Sequence, residues 1–212
     1  MTTIHVTQHS EGTKMEGIQS IGTTSLVNPI CQRRKEVCGG ICSHCYADAL
    51  CKMRHSLNDH LTANYEKLTA KLLTRTEAAA VPVTSAIARI ESFGDVANVT
   101  QARNYIRIIR AHKWIRFGIW SKNWGIWHAA FKKEGKPRNC TFVLSSMNVD
   151  KTDDPHALMI PYVDHVFTVW SKQEYDKRFK GDKLTECAGI SCATCQKCYH
   201  KGGSFYINER LR

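Results

Sequence analysis

The sequence predicts an α/β protein, a partial (βα) barrel of about five or six mostly parallel strands with a cysteine-rich C-terminal lobe. Three observations predict it. Short runs such as Phe117–Trp120, Thr141–Leu144 and Val166–Trp170 are apolar nearly throughout, the pattern of strands buried on both faces of a parallel sheet. Stretches with helical spacing alternate with them, as the crossovers of a parallel sheet require. Hydroxyls, amides and lysines gather just past the strand ends, where such folds carry their functional edge.

Taken in order, residues 1–16 are polar and read as a poorly ordered start. A first strand is expected over 18–26, after which Asn28-Pro29 opens a loop carrying the first cysteines. Ser56 suits a helix N-cap, and Leu57, Leu61, Leu68 and Leu72 recur at near-helical spacing to about Arg75. Pro82 precedes a strand over 83–91. Residues 99–112 read as a helix with Ala102, Tyr105, Ile106 and Ile109 on one face. Strands follow over 115–120, 141–145 and 165–170, with a sixth over 203–207. Trp124–Glu134 is a helix that Gly135 and Pro137 end, and 153–162 offers one helical turn interrupted by Pro161. Three segments repeat weakly: Phe117-Gly-Ile-Trp-Ser-Lys-Asn123, Phe142-Val-Leu-Ser-Ser-Met-Asn148 and Phe167-Thr-Val-Trp-Ser-Lys-Gln173. No linker divides the chain, so 17–180 reads as one barrel-like unit and 181–212 as a lobe packed on it.

A length of 212 residues suits one domain of ordinary to large size. Hydrophobic residues at 42% and charged residues at 23% are near the globular average and exclude a disordered or fibrous chain. The apolar runs fall far short of the roughly 18 residues of a spanning helix. The polar start MTTIHVTQHSEGTK shows no secretory signal, so no membrane partner and a cytoplasmic location are expected. Lys and Arg number 30 against 19 Asp and Glu, a net +11 with His neutral. That excess favours nucleic acid or a small anionic substrate as partner. The absence of G-x4-G-K-[ST], G-x-G-x-x-G and G-x-S-x-G leaves NTPase, dinucleotide dehydrogenase and serine hydrolase readings without support.

Ten cysteines are the most informative feature. Cys31, Cys38, Cys42, Cys45 and Cys51 lie near the start, Cys187, Cys192, Cys195 and Cys198 near the end, and Cys140 alone between them. A secreted disulfide scaffold would be shorter and would carry a signal peptide, so closely spaced thiols read as metal or iron–sulfur ligands. Cys38-Gly-Gly-Ile-Cys42-Ser-His-Cys45 has the spacing C-x3-C-x2-C. Three thiolates on such a loop hold three irons of a [4Fe-4S] cluster and leave the fourth open, and Gly39 and Gly40 let the loop wrap. The alternative is a zinc site drawing four ligands from Cys31, Cys38, Cys42, Cys45, His44 and Cys51, although zinc loops usually pair two C-x2-C units. Cys187-x4-Cys192-x2-Cys195-x2-Cys198 suits a second [4Fe-4S] cluster or a structural zinc equally. One cysteine from each group crossing over is a further arrangement. Cys140 reads as a core residue, and Cys51 as a spare ligand or helix-start thiol. His128, His156, His165 and His200 are given no ligand role.

At these residues the chain resembles the radical S-adenosylmethionine (SAM) superfamily, which places C-x3-C-x2-C after the first strand of a partial α/β barrel. The resemblance implies that Cys38, Cys42 and Cys45 hold the cluster and that SAM chelates the open iron. It also implies that an electron from a flavodoxin or ferredoxin cleaves SAM to a 5′-deoxyadenosyl radical. More narrowly, C-x6-C-x3-C-x2-C-Y-A, R-I-E-S-F-G-D, [IV]-W-S-K and the terminal C-x2-C-x2-C-Y resemble a phage family called gene product eighty-eight, over roughly residues 17–207. That implies a phage origin and action in the host cytoplasm. His44 stands where the superfamily usually has an aromatic residue, and the superfamily's G-G-E segment is absent. Glu91, Ser92 and Gly94 lie in its place and would serve the SAM amino group.

The strand ends supply the remaining candidates. Ser121, Lys122, Asn123, Ser145, Asn148, Ser171 and Lys172 are expected around a polar ligand, with Trp120 and Trp170 as recurring neighbours; simple packing and solvated strand ends are the alternative. Trp114, Trp124 and Trp127 interleave with Arg110, Lys113, Arg116, Lys122, Lys132 and Lys133, a pattern that grips single-stranded nucleic acid and that amphipathic packing also produces. Glu91 and Asp95 form a candidate carboxylate pair. The reading is an iron–sulfur protein of radical-SAM type, substrate open. The alternative is a zinc-stabilised, basic nucleic-acid-binding or phage–host interaction protein without catalysis.

Overall fold

Among the described residues, seven strands form one open sheet in which spatial order is chain order. They are β1 (Thr7–Gln8), β2 (Gln19–Ile21), β3 (Ile87–Ile90), β4 (Arg116–Ser121), β5 (Cys140–Ser145), β6 (His165–Trp170) and β7 (Tyr206–Arg210). Only β1 and β2 run antiparallel; every later neighbour is parallel. The helices are α1 (Pro29–Lys35), α2 (Tyr46–Met53), α3 (His55–Ala70), α4 (Arg75–Ala79), α5 (Val99–Ala111), α6 (Trp124–Glu134), α7 (Lys172–Arg178) and α8 (Cys192–Cys195). The structure is a computed structural model and describes residues 3–152, 159–182, 185–187, 191–202 and 204–211. His156, most of the turn expected over 153–162 and the first residue of the strand expected over 203–207 lie outside them. No described helix is long and apolar enough to cross a membrane.

Alternation along the strands sends side chains to two different cores. One face turns Ile90, Ile119, Phe117 and Phe142 toward α3, α5 and α6, where Leu68, Tyr105, Ile106, Trp127 and Phe131 are almost fully buried. Burying each such side chain stabilises the fold by about 2–3 kcal/mol before entropy is counted. The opposite face turns Ile18, Ile87, Trp120 and Val143 toward Tyr199, Cys192 and Cys198 of the C-terminal lobe. Gly118 permits that docking, because a Cβ there would lie 2.5 Å from the Trp120 ring and 2.8 Å from the Tyr199 ring.

The lobe is fixed by hydrogen bonds to the middle of the sheet and to the N-terminal segment. Thr141 Oγ1 donates to Cys198 O (2.6 Å), and the Cys192 N–H donates to Lys14 O (2.7 Å). Lys14 pairs with Glu209 of β7. The two edges of the sheet are therefore bridged through side chains and the lobe, while β1 and β7 do not pair.

Several expectations are corrected. Residues 3–16 are not a loose start: Ile4 is buried, and the buried Asn64 of α3 bonds both the N–H and the C=O of His5 (2.8 and 2.9 Å). Asn28-Pro29 opens α1 rather than a loop, since the Asn28 side chain accepts from the Ile30 N–H and proline at the first position is pre-set for a helix. Helix α3 starts at His55 without a side-chain cap, so Ser56 is not the N-cap. The first expected strand, 18–26, narrows to 19–21, the sixth is shifted to 206–210, and β1, α2, α4, α7 and α8 are additional.

The apparent repeat does not survive pairing. Ile119 lies opposite Phe142, and Ser145 lies opposite Phe167. The second step is an odd shift relative to the repeat, and an odd shift exchanges faces. Phe117 and Phe142 therefore join the helix-side core while Phe167 joins the lobe side. Trp120 faces the lobe, whereas Trp170 packs on Phe179 (5.0 Å) and bonds Asn208.

Candidate functional site

A cavity of about 1100 Å³ opens at the carboxyl ends of the strands. Its wall includes Cys31 of α1, Cys42 and Cys45 of the first cysteine loop, and Cys187, Cys192 and Cys198 from the lobe. Glu91, Ser92, Asp95, Ser121, Lys122 and Ser145 complete it from the strand ends. Thus Ser121, Lys122 and Ser145, three of the seven strand-end residues expected around a ligand, line one space with Glu91 and Ser92, while Asn123 and Asn148 do not. Ser171 and Lys172 do not: β6 ends at Trp170 and the chain turns into α7, where the Ser171 N–H donates to Asp150 Oδ1 (2.6 Å) and Lys172 is exposed. Cys38 is exposed and Cys195 half-buried, and neither lines the cavity.

The cysteine loop reaches this position by docking on the end of β5. The Ile41 N–H donates to Met147 O (3.0 Å), and Gly40 bridges to Asn148. Gly39 takes a left-handed φ of 74°, which glycine adopts without strain. Tyr46, the residue after Cys45, is 63% exposed because its surface faces the cavity, and its hydroxyl donates to Ser92 O (2.7 Å). Cys51 instead packs with Ala47, Leu61 and Phe93, and Cys140 is buried under α6 as expected of a core residue.

Burial pushes the Cys31 thiol up, and the neighbouring Asp95, Glu91, Cys42 and Cys45 add to the shift. The Cys187, Cys192 and Cys198 thiols are pushed up first by burial and further by neighbouring thiols of the lobe, Cys195 among them. Protonated thiols must give up their protons to bind a metal, so loading these groups is coupled to proton release. As donors the thiols suit iron–sulfur or zinc chemistry in kind. Among the described residues, no three Cys, His, Asp or Glu side chains stand close enough to hold one metal ion.

Two acids organise the strand ends. Asp95 accepts from Ser121 Oγ (2.5 Å), the Lys122 N–H (2.9 Å) and the Val96 N–H (2.8 Å), and pairs with Arg34 of α1 (3.3 Å). It ties the β3 and β4 ends to the helix that carries Cys31. Glu91 accepts from the Thr23 N–H (3.1 Å), Thr23 Oγ1 (3.0 Å), Gln101 Nε2 (2.8 Å) and Tyr105 OH (2.5 Å). Burial outweighs those donors and pushes its carboxyl up to about 7. Its oxygens are thus engaged by α5 and the β2 end. By contrast, the hydroxyls of Ser25 and Ser92 are buried at the cavity wall without a hydrogen-bond partner among the described residues.

Sequence reasoning missed Arg89, Ser25, His9 and Tyr46 at this site. Arg89 had a usable signal, since it lies two residues before Glu91 on a strand and alternation puts it on the face of Ile87. The tryptophan and basic residues do not share a surface. Trp127 is fully buried, Trp114 is 96% exposed before β4, and Trp124 lies past its other end. Arg110 pairs with Glu134, and Arg116 bonds Gln196 (2.8 Å). No protein-family model, curated protein or solved structure matches this chain.

Proposed function

We propose that this chain is an iron–sulfur protein of radical-SAM type, its open sheet serving as a partial barrel around the thiol-lined cavity, in line with the resemblance to the gene product eighty-eight family. One observation carries the reading: cysteines from opposite ends of the chain line one cavity at the carboxyl edge of a parallel sheet. Cys38, Cys42 and Cys45, with Cys31 beside them, would hold an open [4Fe-4S] cluster. Cys187, Cys192, Cys195 and Cys198 would hold a second cluster or a zinc. Such a cluster, once reduced, would supply the electron that cleaves SAM.

The chain's own contribution is position and shelter. Ser25 and Ser92 offer hydroxyls, unpartnered among the described residues, for the polar groups of SAM, while Lys122, held by Ser145 (3.1 Å), keeps its charge for a second ligand. Asp95 and Glu91 act as positioning residues that fix the strand ends carrying those groups. Trp120 and Phe167 exclude water from the wall.

The test is anaerobic purification, analysis of iron, sulfide and zinc, and EPR of the reduced protein with and without SAM. Iron and sulfide that fall on alanine substitution of Cys38, Cys42 and Cys45, with a signal that shifts on adding SAM, is the expected result. Unchanged iron in that triple variant, or a colourless protein holding only zinc, overturns the proposal.

A further inference from the structure

We infer that the cavity carries a second binding site, in which Arg89 seats the oxyanion of a small-molecule substrate beside the thiols and Lys122 adds a second cation. The site itself stands on geometry; naming its occupant a substrate rests on the radical-SAM reading. Arg89 projects from β3 on the cavity side, half-buried, with its guanidinium 4.2 Å from the centre of the Trp120 ring. A guanidinium has five N–H donors in a planar fork. Here Nε reaches Glu91 O at 3.3 Å and Nη1 reaches Met15 Sδ at 3.7 Å, both long, and the sulfur is a weak acceptor.

The neighbouring cations show what Arg89 lacks. Arg34 pairs with Asp95, Lys14 with Glu209 and Lys35 with Asp48, all at this cavity wall. No carboxylate lies within ion-pairing distance of Arg89 or Lys122 among the described residues. A partly buried charge without a counter-charge is costly, and the cost is recovered when an oxyanion accepts two parallel bonds from the fork. Stacking on Trp120 holds the fork's plane before the anion arrives. The cavity, about 1100 Å³, stands at the upper end of small-ligand pockets.

The experiment is calorimetric titration of the full anaerobic protein at low salt with inorganic pyrophosphate and, separately, with succinate. It is run on wild type, Arg89→Met, Arg89→Lys, Lys122→Met and the surface control Lys113→Met. Circular dichroism and iron content check that each variant is folded and loaded. For a charge-assisted bidentate contact, Arg89→Met should weaken binding by about tenfold or more, Arg89→Lys by several-fold and Lys122→Met by several-fold, with Lys113→Met within about twofold. The anion that responds identifies the source as phosphate or carboxylate. Titration repeated with saturating SAM should leave anion affinity unchanged. Equal losses in Lys113→Met and Arg89→Met would reduce the effect to bulk charge and overturn the site. Competition with SAM would make Arg89 a holder of the SAM carboxylate and overturn the substrate assignment. Anion binding by a protein that never responds to SAM would keep the site and discard the radical-SAM reading.

Discussion

Glu91 sits where β3 ends, with a left-handed φ of 60° that costs a non-glycine residue roughly 1–2 kcal/mol. Four donors from Thr23, Gln101 and Tyr105 hold it there. Its carboxyl titrates near 7 when folded, raised by burial from the ordinary 4.5. Between those values the folded chain binds more protons than the unfolded one, so stability falls as pH rises through that window. Glu91→Gln removes the titration. From pH 4.5 to above 7, wild type should lose about 3 kcal/mol relative to the variant, read by urea unfolding at each pH. Parallel stability profiles would mean that Glu91 is ionised throughout. The position of Glu91 at a strand end is legible in R-I-E-S-F-G-D, but its engagement with α5 is not, since Gln101 and Tyr105 come from a separate helix.

The long helices are the legible elements, and the short ones are not. Helix α5 repeats its apolar residues at helical spacing and begins at Asn98, whose side chain accepts from the Gln101 N–H. Helix α6 runs from Trp124 to Glu134 and stops at Gly135, whose φ is 74°. Helices α1, α4 and α7 span only five to seven residues, too few turns for a period to emerge. In β4 the informative residue is Gly118, which lies under Trp120 and Tyr199. Gly118→Ala should therefore destabilise the protein by about 1–3 kcal/mol through overpacking, seen as a lower melting temperature. It should also loosen Cys198, whose carbonyl is held by Thr141 on the neighbouring strand, and so, under the proposed function, lower the metal bound by the C-terminal thiols. An unchanged melting temperature would show that Tyr199 does not rest on the sheet.

For the molecule as a whole, the C-terminal lobe is one of the sheet's two covering layers. Ending the chain after Gly181 would remove β7 and Tyr199 and uncover Ile18, Trp120 and Val143. A contiguous apolar face of that kind drives association. The shortened chain should be insoluble or bind a hydrophobic dye strongly, and a soluble monomer with native circular dichroism would contradict this role for the lobe.

By itself the sequence determined the class, α/β with parallel strands, because apolar runs and helical spacing are local patterns that survive in one dimension. It also determined the clustering of thiols and the hydroxyl-rich strand ends. Tertiary structure decided which of these meet. Pairing register turned Trp120 toward the lobe and Trp170 to the opposite face, against Phe179, despite similar neighbours. Chain-order stacking of the strands, with Lys14 joined to Glu209, brought Cys42 and Cys192 to one cavity. Register and long-range contact arise from pairing between distant residues, and a run of letters records only near neighbours.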